Sequence, residues 1–561
     1  MTSDPARSTV PTPSATTSTP SATTSTPEPA ASTPDPAAPR VRFCPAPSGW
    51  LHVGSVRAAL YNWLHARHHG GSFVFRIEDT DATRATEDSM RSMIEALEWI
   101  GLDWDEGPEL TTDGQLASRG AYGPYRQSER AALYAAVARR LEEAGHTYRD
   151  HRTAEELEAW RASHRTGQGE GPPVVKAAVF EHAPEELERY RAEGRPASLR
   201  LRTPEDGEVV VTDLVRGEVR FQWATISDPV VQRSDGSATY PLANSVDDLA
   251  QGIDVICRGE DLLSVTPRQV RLHELLLSDG LLDDALAEVG LPARDASFGP
   301  VRAFAHLPMV VGMDRKKLSK RHGSVSIQEF RRQGFLPETL RNYLALLGWS
   351  PADGRERLDD EEMIAEFDLA AVGRSPAAFD VDKLTAFNGE RIRELPPMEL
   401  ALRLVPFLDG TEREEHLLHP PVSSEQLAVL TGLVPLIQER MQRLDEVWLY
   451  APPFLTPELE LDPAAVDKVF TKAGSVEALE AAEEALRACP WNTAAIEETL
   501  RALPEQLGIG FGKVAQPIRV AVTGSAVSPP LFESLELLGR ARSLERIAAA
   551  IPVAKAARGE A

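Results

Sequence analysis

Residues 40–77 read RVRFCPAPSGWLHVGSVRAALYNWLHARHHGGSFVFRI, and the hydropathy pattern of this stretch decides the fold. Val41–Cys44 is a short apolar run, and Pro45-Ala46-Pro47-Ser48-Gly49 is a turn cluster. From His52 the spacing becomes helical, with Val53, Val56, Leu60, Trp63 and Leu64 on one face, and Gly70-Gly71 ends the pattern. Phe73, Val74, Phe75 and Ile77 then form a second strand, too apolar for a solvent-facing edge. Strand, helix and strand within about forty residues make a βαβ unit, and so a parallel sheet covered on both faces.

Working outward, helical patterning continues at Thr86–Ile100 and Gln127–Ala144. The segment from Arg149 to about Gly217 is charged and proline-punctuated, mixes short helices with strands such as Val209–Thr212, and reads as an insertion. An apolar strand returns at Asp254–Cys257 and a helix at Thr266–Leu277; beyond Gln328 amphipathic helices run to the end. The expected class is α/β, with an insertion, followed by a mostly helical half. Upstream, residues 1–39 are almost all Ser, Thr, Pro and Ala, and PSATTST occurs at Pro13–Thr19 and Pro20–Thr26. Such a tract has too little apolar side chain to offset its ordering entropy and is expected to be disordered, with a glycosylated stalk as the alternative. It lacks the apolar stretch of a secretory signal.

The 561 residues suit several domains. Hydrophobic residues at 42% and charged residues at 26% are ordinary for a soluble protein, and no run reaches the ~18 apolar residues of a membrane helix. The net charge of −25 argues against broad adhesion to nucleic acid but leaves room for a local basic groove. Three scattered cysteines, Cys44, Cys257 and Cys489, exclude a disulfide scaffold and a cysteine-rich zinc module, and suggest a reducing, cytoplasmic setting.

Three stretches carry chemistry. Ligands of an open parallel sheet bind beyond the carboxyl ends of the strands, where helix N-termini present free N–H groups to anions. His52-Val53-Gly54-Ser55 lies at such an N-terminus, though a helix can start this way without a ligand. Lys316-Lys317-Leu318-Ser319-Lys320-Arg321-His322-Gly323 is too cationic for a core; it is either a solvated basic loop or one that neutralises polyphosphate charge. Arg76-Ile77-Glu78-Asp79-Thr80-Asp81 ends the second strand, where alternation puts Arg76, Glu78 and Thr80 on one side. Glu78 there either receives a substrate ammonium or pairs with a structural arginine.

Taken together, their order and spacing resemble class I aminoacyl-tRNA synthetases, with HVGS matching the HIGH motif and KLSKR matching KMSKS. Further blocks narrow the resemblance to the bacterial glutamyl-tRNA synthetases: FRIEDTD (75–81), WDEGPE (104–109), GPYRQSER (123–130), ATYPLANSVDD (238–248), ICRGEDLLSVTPRQ (256–269) and GKVAQPIRVAVTGS (512–525). The resemblance spans nearly everything from Arg40 onward. It implies a Rossmann-type parallel-sheet catalytic domain in two halves, residues 40–130 and 223–325, around an α+β acceptor-end insertion, 131–222. A stem-contact domain, 326–390, and a helical anticodon-binding region, 391–561, would follow.

The implied reaction is ATP-dependent ligation of L-glutamate to tRNA(Glu) through a glutamyl-adenylate, with tRNA(Gln) as a second candidate substrate. The runner-up is a tRNA-binding or regulatory paralogue with weakened aminoacylation. By resemblance, His52, Gly54, Lys317 and Lys320 are catalytic, and Lys320 stabilises the departing pyrophosphate. Arg42, Glu78, Tyr240, Asn244 and Arg258 match glutamate contacts; Asp261, Val310 and Ser319 join the nucleotide site. From the residues alone, Tyr240 also fits a core aromatic and Asn244 a cap or turn. Asp247 and Asp248 look like a metal pair, but a structural role is favoured; Mg²⁺ is expected to arrive with ATP. Some relatives carry zinc in the insertion, but Tyr148–His182 offers His151, His164 and His182 and no cysteine, so no zinc is expected. The family usually reads APSPTG where this chain has CPAPSG, so Ala46 replaces a serine hydroxyl near the amino-acid site. No membrane partner and a monomer are expected.

Overall fold

A computed structural model describes residues 38–47, 49–80, 86–164, 173–316, 318 and 326–559. Thus most of the expected tail, and Lys317, Ser319 and Lys320, lie outside the described residues.

The opening pattern folds as its spacing predicts. Strand β1 (Arg40–Phe43) leads through the turn cluster into the helix Val53–His68, and β2 (Ser72–Phe75) returns parallel to β1. Val53, Val56, Leu60 and Leu64 are fully buried and Trp63 nearly so, because a helix crossing a parallel sheet must bury one whole stripe. At the chain reversal Gly70 adopts a left-handed φ of +63°, which a side chain would resist. Beyond β2 the hairpin of β3 (Gly107–Leu110) and β4 (Leu116–Arg119) extends this half, bridging to Val74 through Glu106.

Across the molecule, β5 (Thr147–Asp150), β6 (Ser198–Leu201) and β9 (Val230–Gln232) form a small antiparallel sheet with the insertion's helices. Between β6 and β9 the chain leaves that sheet. The hairpin of β7 (Glu208–Asp213) and β8 (Gly217–Gln222) joins β10 (Val255–Gly259) and β11 (Ala303–Leu307) in the order β10-β11-β7-β8. Strands β10, β11 and β7 run parallel. Strand pairing therefore crosses the expected boundary at residue 222 in both directions. Sequence reading grouped β7 with the insertion because it is embedded there; its register with β11 is a long-range choice. Asp254 N–H donates to the Arg40 carbonyl at 3.1 Å, which sets the starts of β1 and β10 side by side.

After the two-residue pairing of β12 (Val310–Val311) with β13 (Ala377–Ala378), the rest is helical. Arg57 and Tyr61, on the first helix, donate to the Leu347 carbonyl at 2.9 Å each, fastening the catalytic sheet to the helices that follow. A second apolar core, around Leu404, Val434, Leu479 and Ile518, fills the C-terminal helices. Among the described residues no helix is long and apolar enough to cross a membrane.

Candidate active site

The carboxyl ends of β1 and β10, the His52 turn and the segment after β11 enclose a cavity of about 760 Å³. Arg42, His52, Gly54, Glu78, Tyr240, Arg258, Asp261 and Val310 all line it, so eight positions spread over some 270 residues converge on one space. Leu318, the described residue of the KLSKR stretch, reaches the same cavity, as do Cys44 and Ala46.

His52 caps the first helix. Its Nδ1 accepts from the Gly54 and Ser55 amides at 3.1 and 3.2 Å, so Nδ1 carries no proton and the Nε2 edge holds it, 2.9 Å from Ser55 Oγ. The helix start thereby fixes the tautomer, with the Nε2–H shared with the Ser55 hydroxyl at the cavity wall. A Cβ on Gly54 would stand 3.1 Å from the imidazole, so the glycine keeps the ring in this pose.

The charged wall is built in depth. Asp248, fully buried, accepts from Arg42 Nε at 3.1 Å and from Arg76 at 2.8 Å. Burial opposes its charge, but the two guanidinium groups outweigh burial and hold its carboxyl at about 2. Asp247, also fully buried, accepts from Gln127, Arg130 and Tyr134 at 2.9, 2.6 and 2.7 Å. These aspartates are consumed by buried donors, which gives them the structural role. Arg42 lines the cavity already committed to Asp248.

Glu78 points from the end of β2 into the cavity with Arg76 3.7 Å away. Glu78 therefore both faces the cavity and neighbours a structural arginine. Burial raises its pKa, with Arg76, Arg42 and an Asn244 hydrogen bond pulling it back. Asn244 differs from the expectation. It is fully buried behind Glu78, donating to Glu78 and accepting from Gln269 at 2.9 Å, and so braces a wall residue instead of forming the wall. Tyr240 sits at the start of its helix and lines the cavity, not the apolar core.

Arg258 is nine-tenths buried yet faces no carboxylate at bonding distance among the described residues. Its Nε donates to His306 at 3.2 Å and one terminal nitrogen to Thr266 at 2.8 Å; the other terminal nitrogen is buried without a partner. Burial consequently lowers its pKa. A buried guanidinium with an unmet N–H, in a side chain that lines the cavity, suits an anion. Sequence reading missed Asp248, His306 and Thr266 as partners of this wall. One signal was present: His306 interrupts the otherwise apolar strand Ala303–Leu307.

Comparisons bear on this site. A family model described as tRNA synthetases class I (E and Q), catalytic domain, matches residues 39–279 and 297–386, and an anticodon binding domain model matches 399–551. Fold and site thus define a class I tRNA synthetase. A glutamate–tRNA ligase of Saccharopolyspora erythraea is 45% identical over 515 residues, covering 91% of this chain and 96% of that protein. That of Kineococcus radiotolerans is 44% identical over 518 residues, with the same coverage. The crystal structure of a glutamate tRNA ligase from Elizabethkingia meningosepticum, in complex with its amino acid, superposes with a TM-score of 0.71 at 30% identity, covering 92% of this chain and 99% of that one. The chain belongs to the glutamate–tRNA ligase family.

Proposed function

We propose that this protein joins L-glutamate to tRNA(Glu) at the expense of ATP. The observation that carries the reading is the convergence, in one cavity, of the unpartnered Arg258 edge, the Glu78 carboxylate and the capped His52. Glutamate is dianionic at its carboxyls and cationic at its amine, and this set complements it: Arg258, with Arg42 beside it, faces the side-chain carboxylate, and Glu78 the ammonium. Tyr240 supports the same pocket, and Asn244 acts by holding Glu78. Glutamate's α-carboxylate attacks the α-phosphorus of ATP, releasing pyrophosphate. A terminal ribose hydroxyl of the tRNA then displaces AMP from the mixed anhydride. Neither step needs a protein nucleophile, so catalysis consists of positioning and charge stabilisation.

In this reading the Nε2–H of His52 meets a phosphate oxygen, and Gly54 lets the nucleotide approach the backbone. Asp261 and Val310 border the nucleotide, and Lys317, Ser319 and Lys320 neutralise the pyrophosphate. Mg²⁺ enters with ATP as part of the substrate. We assign the halves 40–130 and 223–325 to catalysis, counting the β7–β8 hairpin with them, and the remainder of 131–222 to the acceptor end. Residues 326–390 contact the stem and 391–561 the anticodon. Zinc is not assigned to the insertion. His151 and His182 are buried against each other and Tyr190, His164 stacks on Trp160, and no cysteine stands between Tyr148 and His182. A monomer acting in the cytoplasm fits the free cysteines, of which Cys44 has its thiol pushed up to about 12, first by burial.

Charging purified tRNA(Glu) and tRNA(Gln) with labelled glutamate tests the proposal. Charging of tRNA(Glu) is expected, and charging of tRNA(Gln) would add it as a second substrate. No charging of either at micromolar protein would overturn the reading in favour of a tRNA-binding paralogue. Lys320→Ala should lower turnover far more than tRNA affinity.

A further inference from the structure

The unmet edge of Arg258 depends on what holds its other edge. Three neighbouring parallel strands present, at corresponding heights, Asp213 on β7, His306 on β11 and Arg258 on β10; Arg258 and His306 are direct register partners, and Asp213 pairs with Phe304 on the same strand as His306. All three side chains are at least nine-tenths buried, and His306 is wholly so. His306 Nδ1 lies 2.6 Å from Asp213 Oδ2, so it is Nδ1 that bears the proton and donates. Nε2 is left as an acceptor, and it faces Arg258 Nε at 3.2 Å and Thr266 Oγ1 at 3.1 Å. Asp213 in turn accepts from the backbone amides of Val215 and Arg216 at 3.0 and 2.8 Å, which anchors the row to the hairpin turn. Phe304 stacks parallel to the His306 ring at 5.9 Å and lies 5.7 Å from the guanidinium, restricting both in plane.

We propose that Asp213 and His306 are positioning residues that hold Arg258 with one N–H directed at the carboxylate of the amino-acid substrate. Asp213 selects the imidazole tautomer, and the tautomer supplies the acceptor for Nε. Thr266 occupies a second nitrogen, so a single guanidinium edge is left for the cavity. With the opposite tautomer, Nε2–H would confront Nε–H, and the guanidinium would have to turn. The β7–β8 hairpin, inserted into the catalytic sheet from the middle of the insertion, thereby contributes to amino-acid recognition without touching the ligand. The inference rests on the glutamate reading above.

Steady-state charging with tRNA(Glu) tests it through the split between substrates. His306→Phe keeps the ring stack and deletes the acceptor; the KM for glutamate is expected to rise about tenfold or more while the KM for ATP stays within about twofold. His306→Gln, whose side-chain carbonyl can accept from Nε, should recover most of that loss. Thr266→Val, which removes only the second anchor, should raise the KM for glutamate about threefold to tenfold, and it keeps the test open should the histidine variants fail to fold. In an enzyme whose wild type charges glutamate, an unchanged glutamate KM in His306→Phe and Thr266→Val would overturn the inference. An equal rise for glutamate, ATP and tRNA would do the same, because a merely structural role spreads its effect. Absence of charging by the wild type would instead count against the glutamate reading itself.

Discussion

The charged wall and the His52 turn border the same cavity but are made by opposite means. The wall is a buried lattice in which Asp248 accepts from both Arg42 and Arg76, and Arg258 is clamped from behind. The turn is exposed, and there an imidazole caps a helix N-terminus by accepting from its first amides. The contrast follows from the ligands proposed. A small dicarboxylate must be told apart from neutral or shorter amino acids, which calls for fixed charges out of water, where misfit is costly. A triphosphate carries its own large charge and changes shape as it reacts, which local backbone N–H groups suit without deep burial.

The largest effect that would break this contrast is in the wall. Asp248→Asn leaves two buried guanidinium groups short of charge and is expected to cost about 3–5 kcal/mol of stability, read by urea denaturation. A loss within error would mean that the lattice is not what organises the wall. Arg258→Ala should raise the glutamate KM by a factor of several hundred with little change in melting temperature, since it removes a donor aimed at ligand. On the turn, His52→Asn retains a side chain that caps helices well. The melting temperature should hold while kcat falls on the order of a hundredfold, and an equal fall in stability would mean the ring serves the fold alone.

Acid sharpens the comparison further. The folded pKa of Asp248 lies below the ordinary carboxylate value of 3.8, so its contribution is present above that pH and is lost as pH falls toward about 2. About 2 kcal/mol should disappear over that window, and Asp248→Asn should lack this part of the acid transition in stability measured against pH. The smallest effect concerns the turn cluster. Ala46 lines the cavity where the family usually has serine, and Ala46→Ser should lower the glutamate KM about threefold to tenfold if the hydroxyl reaches the substrate. No change would show that this chain binds its amino acid without that bond.

One part of the site was legible from local pattern, the part carried by residues 40–78. The βαβ pattern of residues 40–77 placed His52 and Gly54 at a helix start, and alternation after β2 sent Glu78 toward the same end. Asn244 shows a limit of pattern reading: on a helix buried on all sides, a polar residue facing a ligand and one bracing a neighbour have the same spacing. The sheet that hairpin β7–β8 joins was equally out of reach, because local alternation specifies a strand and not its partner.

The sequence by itself determined the elements and the glycine and proline boundaries, which depend on nearest neighbours or short spacings, while the resemblance of its motifs supplied the family and the site positions. Only the tertiary structure decided which arginine is spent on Asp248, which is left with an open edge, and that His306 and Asp213 stand behind it. Those outcomes depend on pairing between strands some 45 to 90 residues apart and on burial that makes every unmatched charge expensive. Neither is written in any single stretch of the chain.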